Sequence, residues 1–167
     1  MNLMKKNILL LLTVAGINYG KAQTANEKKH VHWKTYYEPS KENLNEGFLV
    51  FEAVIDEGWQ MFAQNQLPDL PVGIEIMIKE SKNFTEEGLL SGPLPIISFS
   101  HKYNKPVAVY KGTVVFKQKI SFKKKEEFKI NVSLENEEFS EAEEITLNNL
   151  DVVINVKPSK GVRLKFL

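Results

Sequence analysis

Apolar and polar residues alternate with period two through most of the chain. Val31, Trp33, Thr35 and Tyr37 alternate with His30, His32, Lys34 and Tyr36, and Ile74, Ile76 and Ile78 with Glu75, Met77 and Lys79. Val114, Phe116, Gln118, Ile120 and Phe122 face away from Thr113, Val115, Lys117 and Lys119. Phe128, Ile130, Val132 and Leu134 interleave with Lys129, Asn131, Ser133 and Glu135. Successive side chains of a strand point to opposite faces, so each run predicts a strand with one face on a core and the other in water. The run 48–55 is apolar on nearly both faces and predicts a central strand, while Val152, Ile154 and Val156 predict a late one.

Turn-forming residues stand where the alternation stops: Pro39-Ser40, Asn45-Glu46-Gly47, Asp56-Glu57-Gly58, 68–71, Ser91-Gly92-Pro93, Tyr103-Asn104-Lys105-Pro106, 123–125 and Asn148-Asn149. Short strands punctuated in this way predict an all-β, immunoglobulin-like antiparallel β-sandwich over residues 29–157. Trp33, Phe51, Trp59, Ile76, Phe116, Ile130 and Ile154 are its expected core. Ser140 and Glu143 have capping-box spacing and predict a single helical turn within 140–144.

The first 22 residues read as an export signal. Lys5 and Lys6 precede the apolar run 8–17, and Gly20-Lys21-Ala22 offers small residues where a signal peptidase needs them, which places cleavage after Ala22. That apolar run is shorter than the ~20 residues a membrane span requires, so a retained anchor is the weaker reading and no span is expected after cleavage. The expected mature domain, 23–167, is large enough to bury a core of its own. It keeps 19 of the 22 basic residues and all 21 acidic ones, a net charge of −2 that gives no reason to expect nucleic acid as a partner.

The chain has no cysteine. Thiol–disulfide chemistry is therefore closed to it, because no other side chain supplies a thiolate. Other candidate chemistry is thin. His30 and His32 share a strand face at a spacing that suits a transition metal, yet no third ligand stands beside them. Six glutamates between 135 and 144 can attract calcium, but they lack the Asp/Asn/Gly rhythm of an EF-hand loop, and a solvated acidic loop is the simpler expectation. No serine lies in a Gly-x-Ser-x-Gly elbow, and no two carboxylates are marked as a glycosidase pair. Trp33, Tyr36, Tyr37, Trp59, Phe62, Tyr103 and Tyr110 can stack on a ligand, although a sandwich uses most such residues in its core.

Several segments, taken in order, resemble a known family. Val31-His32-Trp33, the run 48–55, and Asp56-Glu57-Gly58-Trp59-Gln60-Met61-Phe62 are similar to the opening of the N-terminal periplasmic domain of DsbD-type thiol:disulfide interchange proteins, where a Gly-Trp-x-x-aromatic turn follows the second long strand. Tyr110-Lys111-Gly112-Thr113-Val114-Val115-Phe116 is similar to the family's Tyr-x-Gly-x-Val-x-Phe strand, and 128–134 takes the place of the strand leading to its redox site. The resemblance implies an immunoglobulin-like fold whose cysteine pair relays electrons to periplasmic partners. It covers about residues 29–157.

The resemblance also locates a departure. Where the family reads Val-x-Tyr-Gln-x-Cys, this chain reads Val132-Ser133-Leu134-Glu135-Asn136-Glu137, so Glu137 stands at the first cysteine position and the second falls within 141–143. Carboxylates form no mixed disulfide, so this chain cannot run the relay. Within 99–105, where the family caps its cysteines with an aromatic residue, Tyr103 alone can serve. The expectation is a non-catalytic, periplasmic or secreted interaction module without cofactor or metal. Its protein partner would dock on Tyr103, Glu137, Glu138 and Glu141, with 135–144 as a loop. The alternative is a small-ligand or metal-binding sandwich.

Overall fold

The computed structural model describes residues 28–158 except 65, 67–68, 124–125 and 144–145. The proposed signal segment, 1–22, lies outside the described residues.

Ten strands form two antiparallel sheets packed face to face. The first sheet contains β1 (Val31–Pro39), β2 (Glu46–Ile55), β8 (Thr113–Ser121) and β5 (Thr85–Ser91), in the order β1-β2-β8-β5. The second runs β10-β9-β3-β7-β6, from β10 (Thr146–Val156) and β9 (Phe128–Phe139) through β3 (Gln60–Phe62) and β7 (Lys105–Tyr110) to β6 (Ile96–Ser100). The short β4 (Glu75–Ile78) pairs beside it with β9. No helix occurs among the described residues, and the architecture is the expected immunoglobulin-like sandwich.

The alternation read from the sequence sets the packing. On β8, Val114, Phe116, Gln118 and Ile120 are all buried while the residues between them are not. Phe51, Trp59, Phe116, Ile130 and Ile154 lie in the main core, and Trp33 and Ile76 pack against it half-buried. The strand 48–55 is central as expected, held between β1 and β8.

A second, smaller core occupies the other face of the larger sheet. Met61 pairs with both Tyr110 and Glu138 and points into the main core, so alternation turns its neighbours outward. There Phe62, Val107, Val109 and Phe139 form a separate buried cluster, with Leu70 and Tyr103 packed over it.

Four sequence expectations are corrected. Asn148-Asn149 is not a turn, because both residues lie within β10 and pair with Asn136 and Glu135. The segment 135–144 is not a loop throughout, because Glu135 to Phe139 continue β9 and pair with β10 and β3. Tyr110 to Phe116 is not one strand: β7 ends at Tyr110, and the chain reverses through Gly112, whose φ of 66° only glycine takes without strain, before β8 begins. Glu143 N–H does donate to Ser140 Oγ at 3.0 Å, the bond expected of the capping box, but the described residues 141–143 form bends and not a helical turn.

Candidate functional site

The end of β9 presents different chemistry on its two faces. Inward, Asn136 Oδ1 accepts from Trp33 Nε1–H at 3.0 Å, and Glu138, fully buried, accepts the His30 backbone N–H on Oε1 at 2.8 Å. These bonds tie β9 to the start of β1, on the opposite sheet. Glu138 is therefore an interior residue, and its side chain cannot reach a partner in the way the sequence led us to expect.

Outward, the same stretch carries Glu137 and Phe139. Phe139 stacks on Phe62, centroids 4.3 Å apart and planes 15° from parallel. Tyr103, on the turn between β6 and β7, lies edge-on across both rings, 5.8 Å from Phe62 and 6.0 Å from Phe139. Burial pushes the Glu137 carboxyl above the usual carboxylate range. Burial also raises the Tyr103 phenol, with the charges of Glu137 and Glu141 adding to the effect. Glu137 Oε2 and the Tyr103 hydroxyl are both buried without a hydrogen-bond partner among the described residues.

The turn that carries Tyr103 is fastened at its base. Lys102 N–H donates to Glu141 Oε2 at 3.2 Å, and Lys102 Nζ donates to the Glu143 carbonyl at 2.6 Å. His101, Lys102, Glu141, Ala142 and Glu143 line an open cleft of about 480 Å³. Of the four residues expected to form a docking face, the structure brings Tyr103, Glu137 and Glu141 together and places Glu138 behind them. Sequence reasoning missed Phe62 and Phe139 as the floor. Phe139, an aromatic residue in the middle of an acidic run, was the available signal.

The two histidines form a different constellation. His30 stacks flat on Trp59, centroids 3.7 Å apart, and its Nδ1 lies 3.0 Å from Asp56 Oδ2. His32 Nε2 lies 3.1 Å from the other oxygen, Oδ1. The His30 bond chiefly, aided by that of His32, holds the Asp56 carboxyl below its usual value despite an opposing effect of burial. Asp56 N–H donates to the His30 carbonyl at 2.9 Å, and Trp59 N–H to the Asp56 carbonyl at 3.1 Å. The group clasps the start of β1 to the turn after β2. Among the described residues no set of three or more His, Asp or Glu side chains gathers in a metal-binding arrangement.

No protein-family model and no curated protein matches the chain. Among solved structures it is similar to the N-terminal periplasmic domain of ScsB from Proteus mirabilis, with a TM-score of 0.55 and 15% identity over 80% of this chain and 49% of that one. The chain thus spans about half the length of that ScsB structure. The N-terminal domain of Neisseria meningitidis DsbD in its reduced form matches with a TM-score of 0.46 and 11% identity, over 75% of this chain and 84% of that one. At such identities the likeness is one of fold, and at that level the resemblance read from the sequence holds: this cysteine-less chain shares its β-sandwich fold with about half of the N-terminal periplasmic domain of ScsB.

Proposed function

We propose that the chain is an exported, non-catalytic interaction module that docks a basic protein surface on the face built by Tyr103, Glu137 and Glu141. The observation that carries this reading is the seating of Tyr103 across the Phe62–Phe139 pair, with the Glu137 carboxylate beside it and the Lys102 bonds holding its turn. A rigid aromatic ring flanked by carboxylates suits a lysine- or arginine-bearing surface, offering apolar contact and charge together. Export is supported by the signal-like first 22 residues and by the periplasmic origin of the ScsB domain with the same fold. The absence of cysteine leaves docking without electron transfer as the activity such a face can have.

Capture from a periplasmic extract tests the proposal, with the native chain compared against a Tyr103→Ala, Glu137→Lys variant. Glu138 is left intact because charge reversal in the interior would unfold the sandwich. The native chain should retain a discrete basic partner that the variant loses, and capture should weaken with added salt as the exposed charges are screened. Equal recovery by both proteins would exclude this face.

A further inference from the structure

The free edges of the two sheets differ in how they are guarded against pairing. β1 carries Lys34 and Glu38 and ends in Pro39, and β10 carries Asp151 among several asparagines. β5 holds Glu86 and Glu87, then Gly88 in a left-handed conformation at φ 73°, and its pairing with β8 is irregular between Glu87 and Ser91. Charges, prolines and bulges of this kind are what keep edge strands from adding to other chains. β6 has none of them. Its sequence, Ile96-Ile97-Ser98-Phe99-Ser100, contains no charge, proline or glycine, and among the described residues it pairs with β7 alone. Ile97 is 68% exposed and Phe99 53%, and Leu94, just before the strand, is 92% exposed.

We propose that β6 is a self-association edge, pairing antiparallel with β6 of a second copy about a two-fold axis at Ser98. A strand paired with itself in this register sets Ile97 opposite Phe99 twice, on the same face, and Ile96 opposite Ser100. Aromatic and β-branched residues are favourable cross-strand partners. The charges also fit a second copy. No charged residue lies between Leu94 and Ser100, so like charges do not meet across the axis. A five-residue strand offers only about 17 Å of edge, so the dimer is weak and depends on concentration. This edge is separate from the residues of the proposed docking face and stands independently of that reading.

The test combines sedimentation equilibrium with designed cross-linking. The purified protein should shift from monomer to dimer as its concentration rises from about 1 μM towards 1 mM, a range that spans weak interfaces. Ile97→Lys should remain monomeric throughout, while Leu147→Lys, at an exposed apolar position on β10, should behave as the native chain does. Because the chain has no cysteine, introduced thiols report only the designed contact. Opposed Cα atoms in an antiparallel pair lie about 4.5–5.5 Å apart, within the range a disulfide spans. An oxidised mixture of Ile97→Cys and Phe99→Cys proteins should therefore give a mixed disulfide dimer several-fold more readily than either protein alone. A native chain that stays monomeric up to 1 mM would overturn the proposal. So would an Ile97→Lys protein that dimerises like the native one, or a mixture that cross-links no better than its components.

Discussion

Replacing Phe62 by alanine tests whether the outer cluster is a true core that supports the proposed face. Phe62 is fully buried and stacks on Phe139 at 4.3 Å. A buried aromatic ring removes about 150–250 Å² from water, which at about 25 cal/mol per Å² corresponds to about 4–6 kcal/mol for the whole side chain. Alanine keeps a small share of that burial, and the residual cavity adds back part of the loss, so about 3–5 kcal/mol is expected. Urea unfolding followed by the fluorescence of Trp33 and Trp59 gives the readout. Both tryptophans belong to the main core or pack on it, so they report the loss only if the outer cluster and the sandwich unfold together. With a urea slope of about 2 kcal/mol per M, the midpoint should fall by about 2 M. A loss below about 1 kcal/mol would refute the reasoning, because it would mean that the outer cluster is not close-packed.

Three further outcomes follow from the hydrogen bonds and ionisation states. Asn136→Ala strands the Trp33 indole N–H at its 3.0 Å contact and should cost about 1–3 kcal/mol in the same urea experiment. Asp56 has its folded-state pKa lowered, so it contributes stability that is present above its ordinary carboxylate pKa and lost as pH falls through the folded value. Asp56→Asn should flatten that acid limb in melting temperatures measured between pH 2 and about 6. Glu137 has the opposite sign: its folded pKa is raised, so stability declines as pH rises from the ordinary carboxylate value through the folded one. Glu137→Gln should accordingly raise the melting temperature at pH 7 and leave it nearly unchanged at pH 3.

The parts of the fold legible in the sequence are those whose two faces meet different surroundings. β1, β4, β8, β9 up to Leu134 and β10 from Val152 each place one face on the core, so their alternation was plain. The remaining elements lack that contrast. All three residues of β3 are buried, because one face meets the main core and the other the second cluster. β5 and β6 lie at sheet edges with most of their residues exposed, so neither shows a core-facing period. The acidic stretch after Leu134 misled for a related reason. Glutamates at such density read as solvated loop, but a strand can carry them when inward positions find partners, as Asn136 does in Trp33 and Glu138 in the His30 N–H. Those partners are more than 100 residues away in sequence and could not be read locally. The candidate face was legible only in part: Tyr103 and Glu137 were placed through a resemblance, whereas Phe62 and Phe139 beneath them emerged from the pairing of β3 with β9.

Site-specific photo-cross-linking in an exporting cell examines the docking claim most directly. A photoreactive phenylalanine analogue at Glu141, exposed at the rim of the cleft beside Tyr103, reports what touches this face, and the same analogue at Leu89, exposed on β5 of the other sheet, serves as a control. The account predicts one discrete adduct with a basic protein from position 141, absent from position 89 and abolished by Tyr103→Ala with Glu137→Lys. No adduct at position 141, or an adduct indifferent to those two substitutions, would contradict it.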